Sequence, residues 1–258
     1  MKNENDHIIA GIHSVELIIG QTGFYATDEL RISRKEDARL IKILRKAQNV
    51  GAKVVQSSFA SLTSLHGSDN HQGILLIRKN SVKLFIEFGK EDIHNTPDGS
   101  IFIVADGITD PGNIGAMARS MVAFGAAGLI ISKHRSSPVG ESSLKSSAGT
   151  LINLPVCHIS SIANFLLEMK KSGYLVLGAG KKGEFLSARL VEEIKADATK
   201  IFIVMGSEDK GLSHLVEERC DKIISIAHSD KAESLNVSNA TAIILYQFCS
   251  SGYIKPCL

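Results

Sequence analysis

Three short segments carry residues that could do chemistry together: DGITDPGNIGAMARS (106–120), VMGSEDKGLS (204–213) and ISIAHSDKAESLNVSNATAIILYQ (224–247). Each leaves an apolar strand, passes through a loop rich in Gly, Asn or Ser, and enters a helix. Small residues at the carboxyl ends of strands let backbone approach a flat ligand, the usual place for a cofactor in an α/β sheet. The polar side chains in these segments include Asn113, Arg119, Glu208, Ser234 and Asn236. Each segment alone also has a purely structural reading, with Asn113, Asn236 or Ser238 as helix caps and Arg119 as surface charge.

In the first segment a helix is expected from about Ile114, with Asn113 at or beside its cap. Residues three, four and seven positions from Arg119 are Gly112, Gly115, Ala116, Val122, Ala123 and Ala126. A cation emerging from such a small-residue face has room beside it for a ligand or for a closely packed backbone. In the second, Gly206 would let the loop meet a flat ligand, and Glu208 could orient polar partners or compensate a cation. A fourth pattern, LGAGKKG, places Gly178, Gly180 and Gly183 in GxGxxG spacing after a strand. The strand that follows ends in Met205 and Gly206 rather than in an acidic residue, so a glycine-rich turn is expected there and not a dinucleotide site.

The elements that must position these residues follow from periodicity. Apolar strands near 101–105, 128–132, 174–178, 201–205 and 223–227 alternate with helical stretches near 114–125, 140–149, 161–171 and 185–195. This alternation predicts a parallel sheet covered by helices on both faces. Residues 1–78 read as a separate small α/β unit: a helix near 11–20, a strand near 29–33, a helix over 36–50, then the strands VVQSS and ILLIR. Residues 79–98 combine a short apolar stretch with a polar run ending in proline, and are expected to form a linker to a domain over 99–258.

The chain has 258 residues, enough for one large domain or two small ones, and 29 Lys/Arg against 27 Asp/Glu for a net charge of +2. No basic tail marks a nucleic-acid binder. The excess is nevertheless uneven, with 11 Lys/Arg against 8 Asp/Glu in residues 1–80 and the reverse tilt afterwards. Arg34, Arg39, Lys42, Arg45 and Lys46 decorate the long N-terminal helix and its approach; a solvated face and an RNA-backbone contact are both open there. The start, MKNENDHIIAG, lacks the apolar core of a signal peptide, and no apolar run reaches the roughly 18–20 residues of a membrane span, so a cytoplasmic protein is expected. Cys157, Cys220, Cys249 and Cys257 form no CxxC pair, suggesting neither a zinc site nor a redox motif.

Taken together, NIGAMAR, GSEDKGLS and SLNVSNATAIILYQ resemble, in order and spacing, the three motifs of the SpoU (TrmH) family of RNA 2′-O-ribose methyltransferases. GIHSVE (11–16), NHQGILL (70–76) and DGITDPGNIGA (106–116) extend the likeness over nearly the entire chain, toward the subgroup that modifies a guanosine of 23S rRNA. The resemblance implies an α/β fold of SPOUT type: a knotted parallel-sheet catalytic domain whose C-terminal helix threads through a loop, preceded by a small ribosomal-protein-like RNA-binding domain. It implies S-adenosyl-L-methionine as cofactor, no metal, and a homodimer. Carried over residue by residue, cofactor contacts fall on Gly206, Ile226, Leu235 and Asn236, and the polar active-site positions on Asn113, Arg119, Glu208, Ser234 and Asn236. RNA contacts would come from the N-terminal domain, including Arg34 and Arg39, and from Lys133, Arg135 and Lys145. The sequence departs from many relatives at IAHSD (226–230), where they carry Ile-Pro-Met and a glycine; losing that proline frees a backbone N–H. A tRNA or other rRNA ribose is the alternative substrate, and a non-catalytic RNA-binding ribosome-assembly factor the alternative class.

Overall fold

The computed structural model describes residues 6–33, 38–79, 85–133, 136, 139–229, 231 and 233–254. The chain divides into two compact units between Leu84 and Phe85.

The first unit comprises β1 (His7–Ala10), α1 (Ile12–Thr22), β2 (Glu29–Ile32), α2 (Ala38–Asn49), β3 (Lys53–Gln56), α3 (Phe59–His66) and β4 (Ile74–Arg78). Its mixed sheet has the order β1-β4-β2-β3, with β4 antiparallel to both neighbours and β2 parallel to β3. The strand β1 and the helix α3 add to the elements read from periodicity. The last residue of β4, Arg78, is completely buried and carries the unit's main internal charge pair. Its Nε and one terminal nitrogen donate to the two carboxylate oxygens of Asp28 at 3.0 and 2.7 Å, and further donations reach Thr22 Oγ1 at 2.7 Å and the Gly23 carbonyl at 2.8 Å. Tyr25 lies over the guanidinium at 4.7 Å. A buried ion pair is tolerable only with hydrogen bonds of this completeness. On α2, Leu40, Ile43 and Ala47 face inward while Arg39, Lys42, Arg45 and Lys46 are exposed.

The second unit comprises β5 (Ser100–Ala105), α4 (Pro111–Phe124), β6 (Gly128–Ser132), α5 (Glu141–Ser146), β7 (Val156–Ile159), α6 (Ile162–Lys171), β8 (Leu175–Phe185), α7 (Ala188–Asp197), β9 (Lys200–Met205), α8 (His214–Glu217), β10 (Lys222–Ser225) and α9 (Val237–Ser250). Its six strands run parallel in the order β10-β8-β9-β5-β6-β7. β5 and β9 are central, and their near-continuous apolar sequences IFIVA and IFIVM are buried along their length, as a sheet covered on both faces demands. Phe102 and Phe202 stack at 5.2 Å between these neighbouring strands.

The stretch expected as a linker over 79–98 differs in its second half. Residues 85–98 belong to the second unit: the Ile86 carbonyl accepts from Val156 N at 2.7 Å, and Phe88 N donates to the Val156 carbonyl at 3.2 Å, covering the open edge of β7. Phe88 then lies against Gly128, where a Cβ would come within 2.9 Å of its ring. Ile93 is fully buried in the core, and the buried Lys200 ammonium donates to the His94 carbonyl at 2.9 Å. Two apolar anchors in a polar-looking run are enough to dock it.

Candidate active site

The loops after β5, β9 and β10 meet at one end of the sheet. The first enters α4 differently from expectation. Asp110, not Asn113, caps the helix, accepting from Gly112 N at 2.8 Å, and Pro111 occupies the first helical position, where a missing N–H costs nothing. Asn113 is thereby left free to point away from its own helix. On α9, Asn236 performs two tasks. Its Oδ1 accepts from Ser238 N at 2.9 Å as the cap, while its Nδ2 faces outward and donates to Asn113 Oδ1 at 3.0 Å and to Glu208 Oε1. Asn113 Nδ2 donates to the same carboxylate oxygen at 3.3 Å. Three residues from three loops therefore form one hydrogen-bonded triangle.

Next to the triangle is a cavity of about 440 Å³. Its apolar wall is built by Met205, Leu212, Ile223, Ile226, Leu235 and Ile244, and its polar rim includes Glu208, Lys210, His228 and Ser234. Of the residues expected to hold a cofactor, Gly206, Ile226 and Leu235 line it; Asn236 borders it through Glu208 rather than lining it. The residues 207–211 form a tight turn in which Ser207 N donates to the Gly211 carbonyl at 3.0 Å and Gly211 N returns the bond at 2.9 Å. Gly206 makes that turn possible, because a Cβ there would collide with the backbone of Gly211 and Leu212. Gly206→Ala is expected to cost about 1–3 kcal/mol as the turn is forced outward, read as a lowered midpoint of thermal or urea unfolding.

Arg119 is placed elsewhere. It is exposed on α4, does not line the cavity, and makes no hydrogen bond or ion pair with any described residue. The small-residue face beside it is occupied in part by protein, since Gly115 is buried where a Cβ would collide with Ser146 and the Ser143 carbonyl of α5. The cation that Glu208 could compensate is not Arg119 among the described residues: the two asparagine amides hold Glu208, and Arg119 makes no bond to any of the three. Lys133 and Lys145 are exposed, whereas Arg34 and Arg135 lie outside the described residues.

The GAGKKG segment is also corrected. It forms no turn; Ala179, Gly180, Lys181 and Lys182 lie within β8 and form a wall of the cavity. Glycines directly following a strand are the sequence signal for this wall, although they do not fit the dinucleotide pattern. Cys220, packed beside Gly178, has its thiol pushed up to about 12 by burial and by the neighbouring Asp221, which makes it a packing group and not a nucleophile. His228 Nδ1 lies 2.8 Å from the Ile226 carbonyl, a local bond within the loop after β10.

A parallel sheet with helices on both faces, ending in an apolar cavity rimmed by an Asn–Glu–Asn triangle, defines a member of the SpoU methylases: residues 100–246 match the SpoU rRNA Methylase family, and the chain belongs to it. It is an RNA methyltransferase of that family. Over nearly its full length it is similar to the 23S rRNA (guanosine-2'-O-)-methyltransferase RlmB of Shewanella oneidensis, at 30% identity over 241 residues covering 93% of this chain and 95% of that one. RlmB of Vibrio vulnificus is 29% identical over 249 residues, 96% of each chain. Among solved structures, the SpoU methyltransferase AviRb from Streptomyces viridochromogenes, in complex with AdoMet, shares the fold with a TM-score of 0.74 at 22% identity, over 96% of this chain and 91% of its own.

Proposed function

We propose that this protein transfers the methyl group of S-adenosyl-L-methionine to the ribose 2′-hydroxyl of a guanosine in 23S rRNA. The observation that carries the reading is the convergence of Asn113 and Asn236 on Glu208, which lines a cavity whose apolar walls suit an adenine and whose carboxylates suit a sulfonium cation. Its volume lies within the range of small-molecule sites. Gly206, Ile226 and Leu235 would hold the cofactor, largely through backbone groups. When bound, the sulfonium supplies an electrophilic methyl and a good leaving group. The chain's own tasks are alignment and charge. Asn113 and Asn236 fix the Glu208 carboxylate on the rim, and Ser234 lies beside them with a hydroxyl for the ribose. Arg119 grips the adjoining phosphate and stabilises negative charge developing on the 2′-oxygen, while the proton passes to phosphate or water.

Further parts of the reading concern assembly. Ile243 and Tyr246 on α9 are exposed, and Phe124 of α4 lies against Tyr246 at 6.1 Å between ring centroids. This apolar face is suited to pair with a second copy as a homodimer. The knotted threading that the resemblance implies belongs to the same reading; its support is that Val237, Ala240 and Ile244 of α9 line one cavity with Gly206 and Leu212. RNA would be engaged by the first unit as an RNA-binding domain and by the cations of the second.

Lys42, Arg45 and Lys46 make no ion pair among the described residues, which leaves their charge available to phosphate. Neutralising Arg39, Lys42, Arg45, Lys133 and Lys145 together is expected to weaken RNA binding and flatten its salt dependence while leaving cofactor affinity intact, as read by filter binding over a salt series. Equal loss of both affinities would indicate a folding defect. The decisive experiment maps 2′-O-methylation in rRNA and tRNA from cells with and without the protein. Loss of one 23S guanosine mark supports the proposal; loss of a tRNA mark moves the substrate; no lost mark and no cofactor binding favour an assembly factor.

A further inference from the structure

Ile223 and Ile224 are consecutive on β10, yet their partners on β8 are Gly178 and Glu184. The intervening residues, 179–183, leave the ladder and swing along the cavity, with Ala179 to Lys182 in its wall. Glycine makes the excursion possible. A Cβ at Gly178 would lie 2.7 Å from the Ile223 side chain, and one at Gly183 would lie 2.6 Å from the Ile223 backbone. Ser225 Oγ fixes the far end by donating to the Gly183 carbonyl at 2.8 Å. The result is a pair of lysines carried to the wall of the pocket.

The two are not equivalent. Lys181 Nζ is paired with Glu233 Oε1 at 3.4 Å, a bond that ties the excursion to the loop between β10 and α9. Lys182 makes no hydrogen bond or ion pair with any described residue. The remaining lysine of the lining, Lys210, directly follows Glu208 and Asp209, so neighbouring charge offsets it. Lys182 is flanked by Lys181 and Gly183, which leaves local positive potential at that point of the rim.

We propose that Lys182 is a specificity-determining residue that binds the free α-carboxylate at the amino-acid end of S-adenosyl-L-methionine and of its product. The assignment rests on the proposed function, because it needs the cavity to be the cofactor site. An ammonium that meets a carboxylate from a pocket wall forms a charge-assisted hydrogen bond, while the adenine end is served by the apolar lining residues.

The test is calorimetric titration with S-adenosylhomocysteine and with S-adenosyl-3-thiopropylamine, the same thioether lacking only the carboxylate. The protein is expected to prefer the first about tenfold. In Lys182→Met this preference disappears while affinity for the decarboxylated ligand stays as in the unaltered protein, which also reports a correctly folded pocket; Lys182→Arg retains most of the preference. Several results would overturn the assignment: an unaltered preference in Lys182→Met, equal loss of both ligands, absence of preference in the unaltered protein, or loss of discrimination in Lys210→Met instead. Failure of the unaltered protein to bind either ligand would instead refute the reading of the cavity as a cofactor site, and the assignment with it.

Discussion

Arg119→Ala is expected to lower methyl-transfer turnover by about 10²–10³-fold, the usual penalty for removing one stabiliser of developing negative charge, with S-adenosylhomocysteine affinity unchanged. The two readouts separate because Arg119 does not line the cavity. A guanidinium stays protonated at any working pH, so its contribution is charge rather than proton abstraction. Arg119→Lys keeps a cation and is therefore expected to retain measurable turnover, although it loses the bidentate geometry that suits phosphate. Single-turnover assays with labelled cofactor and saturating RNA would measure both variants. An unchanged rate in Arg119→Ala would remove this residue from catalysis. Arg119 lies six positions beyond Asn113 on α4, about 9 Å along the axis, and with no internal partner among the described residues its side chain is available to an RNA phosphate.

Arg78→Ala should have the largest effect on stability, about 3–5 kcal/mol, because it strands a buried carboxylate. Asp28 is 1% exposed and receives two of the arginine's hydrogen bonds; Thr22 Oγ1 and the Gly23 carbonyl each lose the donation from Arg78 at the same time. The damage falls within the first unit. RNA affinity is therefore expected to collapse at temperatures where the second unit still binds S-adenosylhomocysteine. Denaturation followed by circular dichroism, together with cofactor titration of the same variant, would show the separation. A combined Arg78→Met and Asp28→Asn variant removes both charges and should recover much of the loss, since replacing a whole buried pair costs far less than breaking it. If Arg78→Ala unfolds with the midpoint of the unaltered protein, the pair contributes nothing to the unit's stability.

Much of the second unit was legible because buried parallel strands are near-continuous apolar runs. IFIVA and IFIVM announce themselves, and β6 and β10 nearly so. VCHI (β7) escaped notice: four residues broken by the exposed His158 give too short a signal. β8 runs on to Phe185 instead of ending near residue 178, because Gly178, Gly180 and Gly183 give a strand the composition of a turn. Asn113 has the chemistry of a cap, but Asp110, just before a proline at the first helical position, is the cap the fold uses.

By itself the sequence determined the long apolar strands of the second unit, which loops are small enough for backbone to meet a ligand, and that Gly206, Glu208 and Asn236 stand where such loops enter helices. These are local properties, set by side-chain size and by periods of a few residues. The tertiary structure alone decided that Asn113 meets Glu208 across 95 positions and Asn236 across 123, that Arg119 stands apart from them, and that GAGKKG is a wall of the cavity. Those facts follow from strand order and from where parallel strands end, which no local period encodes.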